Sequence, residues 1–155
     1  MPPVPRAELS AAQLSVAIVA ARYNDFAVAS LLRGAAGAWE QLGGDPGRLL
    51  VARVPGAFEL PVAARRCALT GRYAAIIALG CVIRGDTAHF DHVAGECAHG
   101  LTRVALDTGV PVMFGVLTVD TVEQAVQRAA VCAGNKGGEA MRGAVEMAQL
   151  LASLA

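Results

Sequence analysis

The stretch Gly80-Cys81-Val82-Ile83-Arg84-Gly85-Asp86-Thr87-Ala88-His89-Phe90-Asp91 reads as the end of an apolar strand, a glycine-hinged turn and the start of a helix. A helix N-terminus offers unpaired backbone N–H groups and a partial positive charge to an anion. Gly85 lets the backbone approach a ligand with no Cβ in the way. The spacing from Gly80 to Thr87 copies that of a nucleotide-binding P-loop, but Asp86 stands where that motif carries lysine. A carboxylate there repels a triphosphate, so the pattern points to a small phosphorylated ligand and not to an NTPase.

The same strand-turn-helix step recurs along the chain. Ser15 to Ala21, Leu49 to Val54, Ala74 to Val82 and Pro111 to Thr118 are short, apolar and rich in β-branched residues, the pattern of strands covered on both faces. Between them the signals predict a helix capped by Asn24 and stopped by Gly43-Gly44, and another after Gly56 that tolerates Pro61 in its first turn. Further helices are expected from Asp91 to Asp107, from near Asp120 or Thr121, and from Asn135 to Leu151. A βαβ rhythm with right-handed crossovers gives a three-layer α/β/α sandwich around a doubly wound, mostly parallel four-stranded sheet. Residues 1–12, with three prolines, are expected to be an N-terminal arm, and residues 13–155 a single domain.

Composition narrows the function. The chain has 155 residues, of which 55% are hydrophobic and 17% charged, yet no apolar run approaches the ~20 residues of a spanning helix. Excess apolar surface on a small domain is then best covered by copies of itself, and a homo-oligomer is expected. With a formal net charge of +0 and no basic run longer than Arg65-Arg66, nothing drives binding to nucleic acid. The prolines near the N-terminus interrupt any signal-peptide core, which predicts a cytoplasmic protein. Cys67, Cys81, Cys97 and Cys132 are widely spaced and read as reduced thiols, not as a disulfide or zinc framework.

In doubly wound sheets ligands lie beyond the carboxyl ends of the strands, so the candidate residues are sought there. Tyr23 is a flat ring at the first strand end and can stack on a heterocycle. Glu59, beside Phe58, suits either the helix dipole or a polyol. His89, His92, Glu96 and His99 fall at helical spacing and would form a metal stripe only with ligands from elsewhere. With a helix starting near Asp91, His89 lies in the turn beside the phosphate cradle, where a group titrating near neutrality suits proton transfer. Lys136, the single lysine among thirteen basic residues, sits in a glycine-rich turn, and Arg128 carries a guanidinium shaped to clamp phosphate.

Five blocks together carry a resemblance: Ala20 to Asn24, Pro55 to Pro61, Gly80 to Val93, Phe114 to Thr118, and Glu123 to Ala125 with Arg128 and Gly134 to Gly137. In this order they resemble the lumazine synthase family. The resemblance implies a flavodoxin-like sheet topology, with the arm adding to a neighbouring subunit's sheet. It implies condensation of 5-amino-6-(D-ribitylamino)uracil with 3,4-dihydroxy-2-butanone 4-phosphate, without cofactor or metal. By similarity, Tyr23, Asn24, Ala57, Phe58, Glu59, Cys81, Val82 and Ile83 hold the pyrimidine and ribityl chain, and Phe114 and Lys136 line the pocket across a subunit boundary. Gly85, Asp86 and Thr87 give the phosphate backbone donors, Arg128 supplies charge, and His89 shuttles protons. Pentamers, capsids built from them and association with riboflavin synthase are family properties, and the short turn between the last two helices is compatible with a capsid. Two positions depart from the family pattern: Tyr23 replaces phenylalanine or tryptophan, and Cys132 stands where many members carry another lysine. A lumazine or flavin carrier on the same scaffold is the alternative, and His89 with Arg128 favours the enzyme.

Overall fold

The computed structural model describes residue 1, residues 9–130 and residues 134–155. Four strands, β1 (Val16–Ala21), β2 (Leu49–Val54), β3 (Ala75–Ile83) and β4 (Val112–Val119), pair in the order β2-β1-β3-β4, and every pairing is parallel. They alternate with α1 (Asp25–Gln41), α2 (Leu60–Leu69) and α3 (His89–Thr108), and α4 (Val122–Ala129) and α5 (Lys136–Leu154) follow β4. The expected doubly wound α/β sheet is therefore the one that forms, with strand bounds within a residue of the apolar runs.

Successive side chains on a strand point to opposite faces, so an all-apolar strand can feed two cores. Val16, Ile18, Ala20, Ile77 and Leu79 pack with Val28, Leu31 and Trp39 of α1, Ala125 of α4, and Met141 and Val145 of α5. Ala17, Val19, Ala21, Ile76 and Ala78 pack on the other face with Leu60 and Ala64 of α2 and with Cys97, Leu101 and Val104 of α3. β2 departs from the expected coverage on both faces. It is an edge strand paired only with β1, only its Val54 is buried, and Leu50 and Val51 remain 37% and 41% exposed. The helices cover the central strands and leave the sheet's end bare.

Two local expectations are corrected. Asn24 occupies the N-cap position of α1 but sits in the left-handed region at φ 58° and makes no side-chain cap. In that conformation its amide reaches across to donate to the Cys81 carbonyl at 2.8 Å, tying the end of β1 to β3. α3 begins at His89, two residues before Asp91, because Ala88 already has near-helical dihedrals and Thr87 Oγ1 accepts the His89 N–H at 3.3 Å. His89 is thus the first helical residue and not part of the preceding turn.

The start of α5 is fixed by a buried Asn135, whose Oδ1 accepts the Gly138 N–H at 3.0 Å while its Nδ2 donates to the Ser30 and Ala129 carbonyls, both at 2.9 Å. A Cβ on Gly137 would lie 1.9 Å from the Leu31 carbonyl oxygen, so α1 and α5 touch backbone to backbone there. No helix of the described residues is long and apolar enough to cross a membrane. Cys67, Cys81 and Cys97 are free, and burial pushes the Cys81 and Cys97 thiols up to about 11. The expectations for Cys132, for most of the arm (residues 2–8) and for part of the turn before α5 (residues 131–133) lie outside the described residues.

Candidate active site

The carboxyl ends of β1, β2 and β3 meet as the topology requires. The Arg22 and Tyr23 N–H groups donate to the Val54 and Pro55 carbonyls at 2.8 and 2.9 Å, which clips the end of β1 to that of β2. The Tyr23 ring is 66% exposed and lies over Gly56, where a Cβ would come within 2.6 Å of it. A 3-10 turn at Ala57–Glu59 leads into α2, and Glu59 Oε2 reaches back to accept the Gly56 N–H at 2.9 Å. The carboxylate therefore supplies one half of a capping box at the rim of the site, Gly56 having no side chain for the other.

Tyr23, Ala57, Phe58 and Glu59 line one side of a cavity of about 340 Å³, and His89, His92 and Val93 of α3 line the other. The sequence offers His92 only as part of a metal stripe, at a spacing of three from His89, and Val93 only as the end of a family block; the structure sets both on the cavity wall. Because α3 begins at His89, that stripe does share a helix face, but its first two histidines line the same cavity as Tyr23 and Phe58. Among the described residues no group of three His, Cys, Asp or Glu side chains stands close enough to hold a metal ion.

Cys81, Val82 and Ile83 end β3 in register with Leu117, Thr118 and Val119 of β4. The next residues, Gly85 to Ala88, are exposed, and among the described residues their four amide N–H groups have no hydrogen-bond partner. They form an arc of donors at the N-terminus of a 20-residue helix, an arrangement that attracts an anion. Arg84, at the root of the arc, does not supply a spare cation. Its Nε donates to Asp120 at 2.9 Å and its Nη1 to Asp91 at 3.4 Å, and the guanidinium lies 4.3 Å from the centre of the Phe90 ring. The hydrogen bond to Asp120, with the charge of Asp91 and Asp120 beside it, holds that guanidinium more firmly protonated than usual.

Phe114, Arg128 and Lys136 lie elsewhere on the chain. They line a groove of about 400 Å³ that runs along edge strand β4 beneath α5. Phe114 is the third residue of β4, well before its carboxyl end, and is 49% exposed. Arg128 Nη1 makes a long contact of 3.5 Å with the Gln124 carbonyl, and Lys136 Nζ pairs with Glu139 at 2.9 Å. α4, which carries Arg128, is held by two bonds at its start: Thr121 Oγ1 accepts the Gln124 N–H as the N-cap, and Gln124 Oε1 accepts the N–H of Asp120, the residue before it. One chain thus brings together Tyr23, Ala57, Phe58, Glu59 and His89, and separately Phe114, Arg128 and Lys136, without joining the groups.

The pattern of 6,7-dimethyl-8-ribityllumazine synthase matches residues 13–152, a span that takes in all four strands, the donor arc and both cavities. With that match over nearly the whole chain, on an all-parallel α/β sheet whose strand ends carry the site described above, the chain belongs to the lumazine synthase family, transferases of riboflavin biosynthesis.

Proposed function

We propose that the chain condenses 5-amino-6-(D-ribitylamino)uracil with 3,4-dihydroxy-2-butanone 4-phosphate to 6,7-dimethyl-8-ribityllumazine, with release of phosphate and water. The observation that carries this reading is the placing of His89 between an aromatic cavity and an arc of unpartnered amides. The cavity suits a flat ring: Tyr23 and Phe58 offer aromatic faces, and the Ala57 backbone and Glu59 offer polar edges, while Asn24, bonded to the Cys81 carbonyl, ties the neighbouring end of β3, with Val82 and Ile83, to that of β1. The arc at Gly85, Asp86 and Thr87 suits a phosphate, received by backbone N–H groups while the Asp86 side chain stays in solvent.

In the reaction the aromatic amine attacks the ketone to give an imine. Loss of phosphate leaves an enol that becomes a second carbonyl, and the ribitylamine nitrogen closes the ring on it. Both reactants are intrinsically reactive, so holding them in one geometry supplies most of the acceleration. His89 sits where it can carry protons between the amine and the departing groups. Arg84, the cation at the root of the arc, is already paired with two carboxylates. We therefore assign phosphate charge to Arg128 of a second copy, whose β4 groove with Phe114 and Lys136 closes over the first copy's cavity. Such a head-to-tail contact closes into a ring, and the family resemblance supports a cytoplasmic pentamer.

The test is the growth of lumazine absorbance when purified protein meets both substrates, compared with the uncatalysed background. Acceleration that falls in His89→Ala supports the synthase. Tight lumazine binding with no acceleration would instead assign the chain to a carrier role.

A further inference from the structure

The loop that offers its amides to phosphate is closed by a contact that the reaction itself does not call for. Arg84 and Asp91 flank it, and their side chains meet at 3.4 Å, so the segment from Gly85 to Phe90 is drawn into a ring by a clasp seven residues wide. The same guanidinium is anchored to Asp120 at 2.9 Å, directly before the cap of α4, and its face lies 4.3 Å from the centre of the Phe90 ring. At the backbone, the Arg84 N–H donates to the Val119 carbonyl at 2.9 Å, which pins the loop's first residue to β4. The loop's far end is held by the His89 N–H on Thr87 Oγ1 and by the Asp91 N–H on the Ala88 carbonyl.

We propose that Arg84 is a positioning residue for the condensation: clasped to Asp91 and Asp120 and laid on Phe90, it fixes the donor loop and His89 in their working geometry. The inference rests on the function proposed above and adds to it a residue that touches neither reactant. Charge supports a positioning role over direct binding. One cation between two carboxylates leaves the cluster with a net negative charge, which would not draw phosphate. Geometry explains why arginine is needed. A planar fork can address two carboxylates in different directions while stacking on a ring, whereas a lysine ammonium can do one of these at a time. An exposed ion pair contributes little to global stability. Restricting a flexible loop before the ligand arrives, by contrast, lowers the ordering cost of binding.

The experiment compares wild type, Arg84→Ala, Arg84→Lys and Asp120→Asn by steady-state kinetics and by amide hydrogen exchange. In Arg84→Ala the KM for the butanone phosphate is expected to rise about tenfold and kcat to fall by a similar factor, the scale on which misplaced groups act. The KM for the pyrimidine should move less than twofold, and Arg84→Lys should resemble Arg84→Ala. Exchange should quicken at residues 89, 91 and 92, whose amides bond to Thr87 and Ala88 within the clasped segment, and stay unchanged at residues 97–104. Kinetics within twofold of wild type in Arg84→Ala, equal losses for both substrates, or full rescue by lysine would overturn the proposal. So would unchanged exchange at residues 89, 91 and 92. Wild-type protein that fails to condense the substrates overturns the function itself, and the exchange result then still decides whether the clasp orders the loop.

Discussion

His89 opens α3 facing a cavity that Tyr23 and Phe58 make aromatic, and its role there is separable from that of Arg128. Replacing His89 with alanine removes a proton carrier and leaves the positioning groups in place. Turnover should fall on the order of 10²-fold yet stay above background. Stopped-flow absorbance at saturating substrate reads this directly, and an undiminished rate would remove His89 from the chemistry. Arg128→Ala should act on binding: losing charge-assisted hydrogen bonds worth about 2 kcal/mol raises the KM for the butanone phosphate roughly thirtyfold. The KM for the pyrimidine should hold steady in the same titration. Sequence made most of these single residues legible, because each sits in a motif whose chemistry is local. It could not show that Glu59 is engaged by the Gly56 N–H or that Asn24 reaches Cys81. The contact between Arg84 and Asp120 was hidden for a related reason: it joins residues 36 positions apart, and only the β3–β4 register brings them together.

At the scale of elements, the decisive contact is the backbone crossing of α1 and α5. The Asn135 staple and the closeness of Gly137 to Leu31 fix where Lys136 emerges. Gly137→Ala inserts a methyl group against a carbonyl that cannot yield without moving a helix, and overpacking of this kind costs about 3 kcal/mol. Urea denaturation should show that loss as a lower midpoint with an unchanged slope. A second prediction concerns the sheet's two cores. Burial raises Cys81 and Cys97 from 9.0 to about 11, so the folded state holds protons that the unfolded state releases between those values. The stability these thiols contribute is complete below pH 9 and is lost as pH climbs towards 11, by up to about 1.4 kcal/mol per pH unit for each thiol. Denaturation midpoints across that window should fall less steeply in Cys97→Ala than in wild type. The strand runs were readable from sequence because apolarity on both faces is a property of consecutive residues. The bare face of β2 was not, since an edge strand has the same apolar sequence as a central one and differs only in its neighbours. The start of α3 at His89 was not legible because Asp86, Thr87 and Asp91 all favour a helix N-terminus, and spacing alone does not choose among them.

For the molecule as a whole, one chain carries the two halves of the proposed site apart from each other. His89 and the donor loop stand at the carboxyl end of the sheet, and Arg128 and Lys136 stand along its β4 edge. The family resemblance anticipated a boundary between subunits for Phe114 and Lys136, whereas composition alone indicated only that apolar surface needed covering. If a second copy completes the condensing site, as proposed, mixing His89→Ala and Arg128→Ala chains, unfolded and reassembled together, should restore lumazine formation. In a head-to-tail ring each chain lends one half to each of two sites, so random mixing restores about a quarter of the sites to full composition. With butanone phosphate held well below its wild-type KM, where both variants are slow, the account predicts a mixture faster than either variant alone, approaching that fraction of the wild-type rate. A mixture no faster than the average of the two separate variants would contradict it.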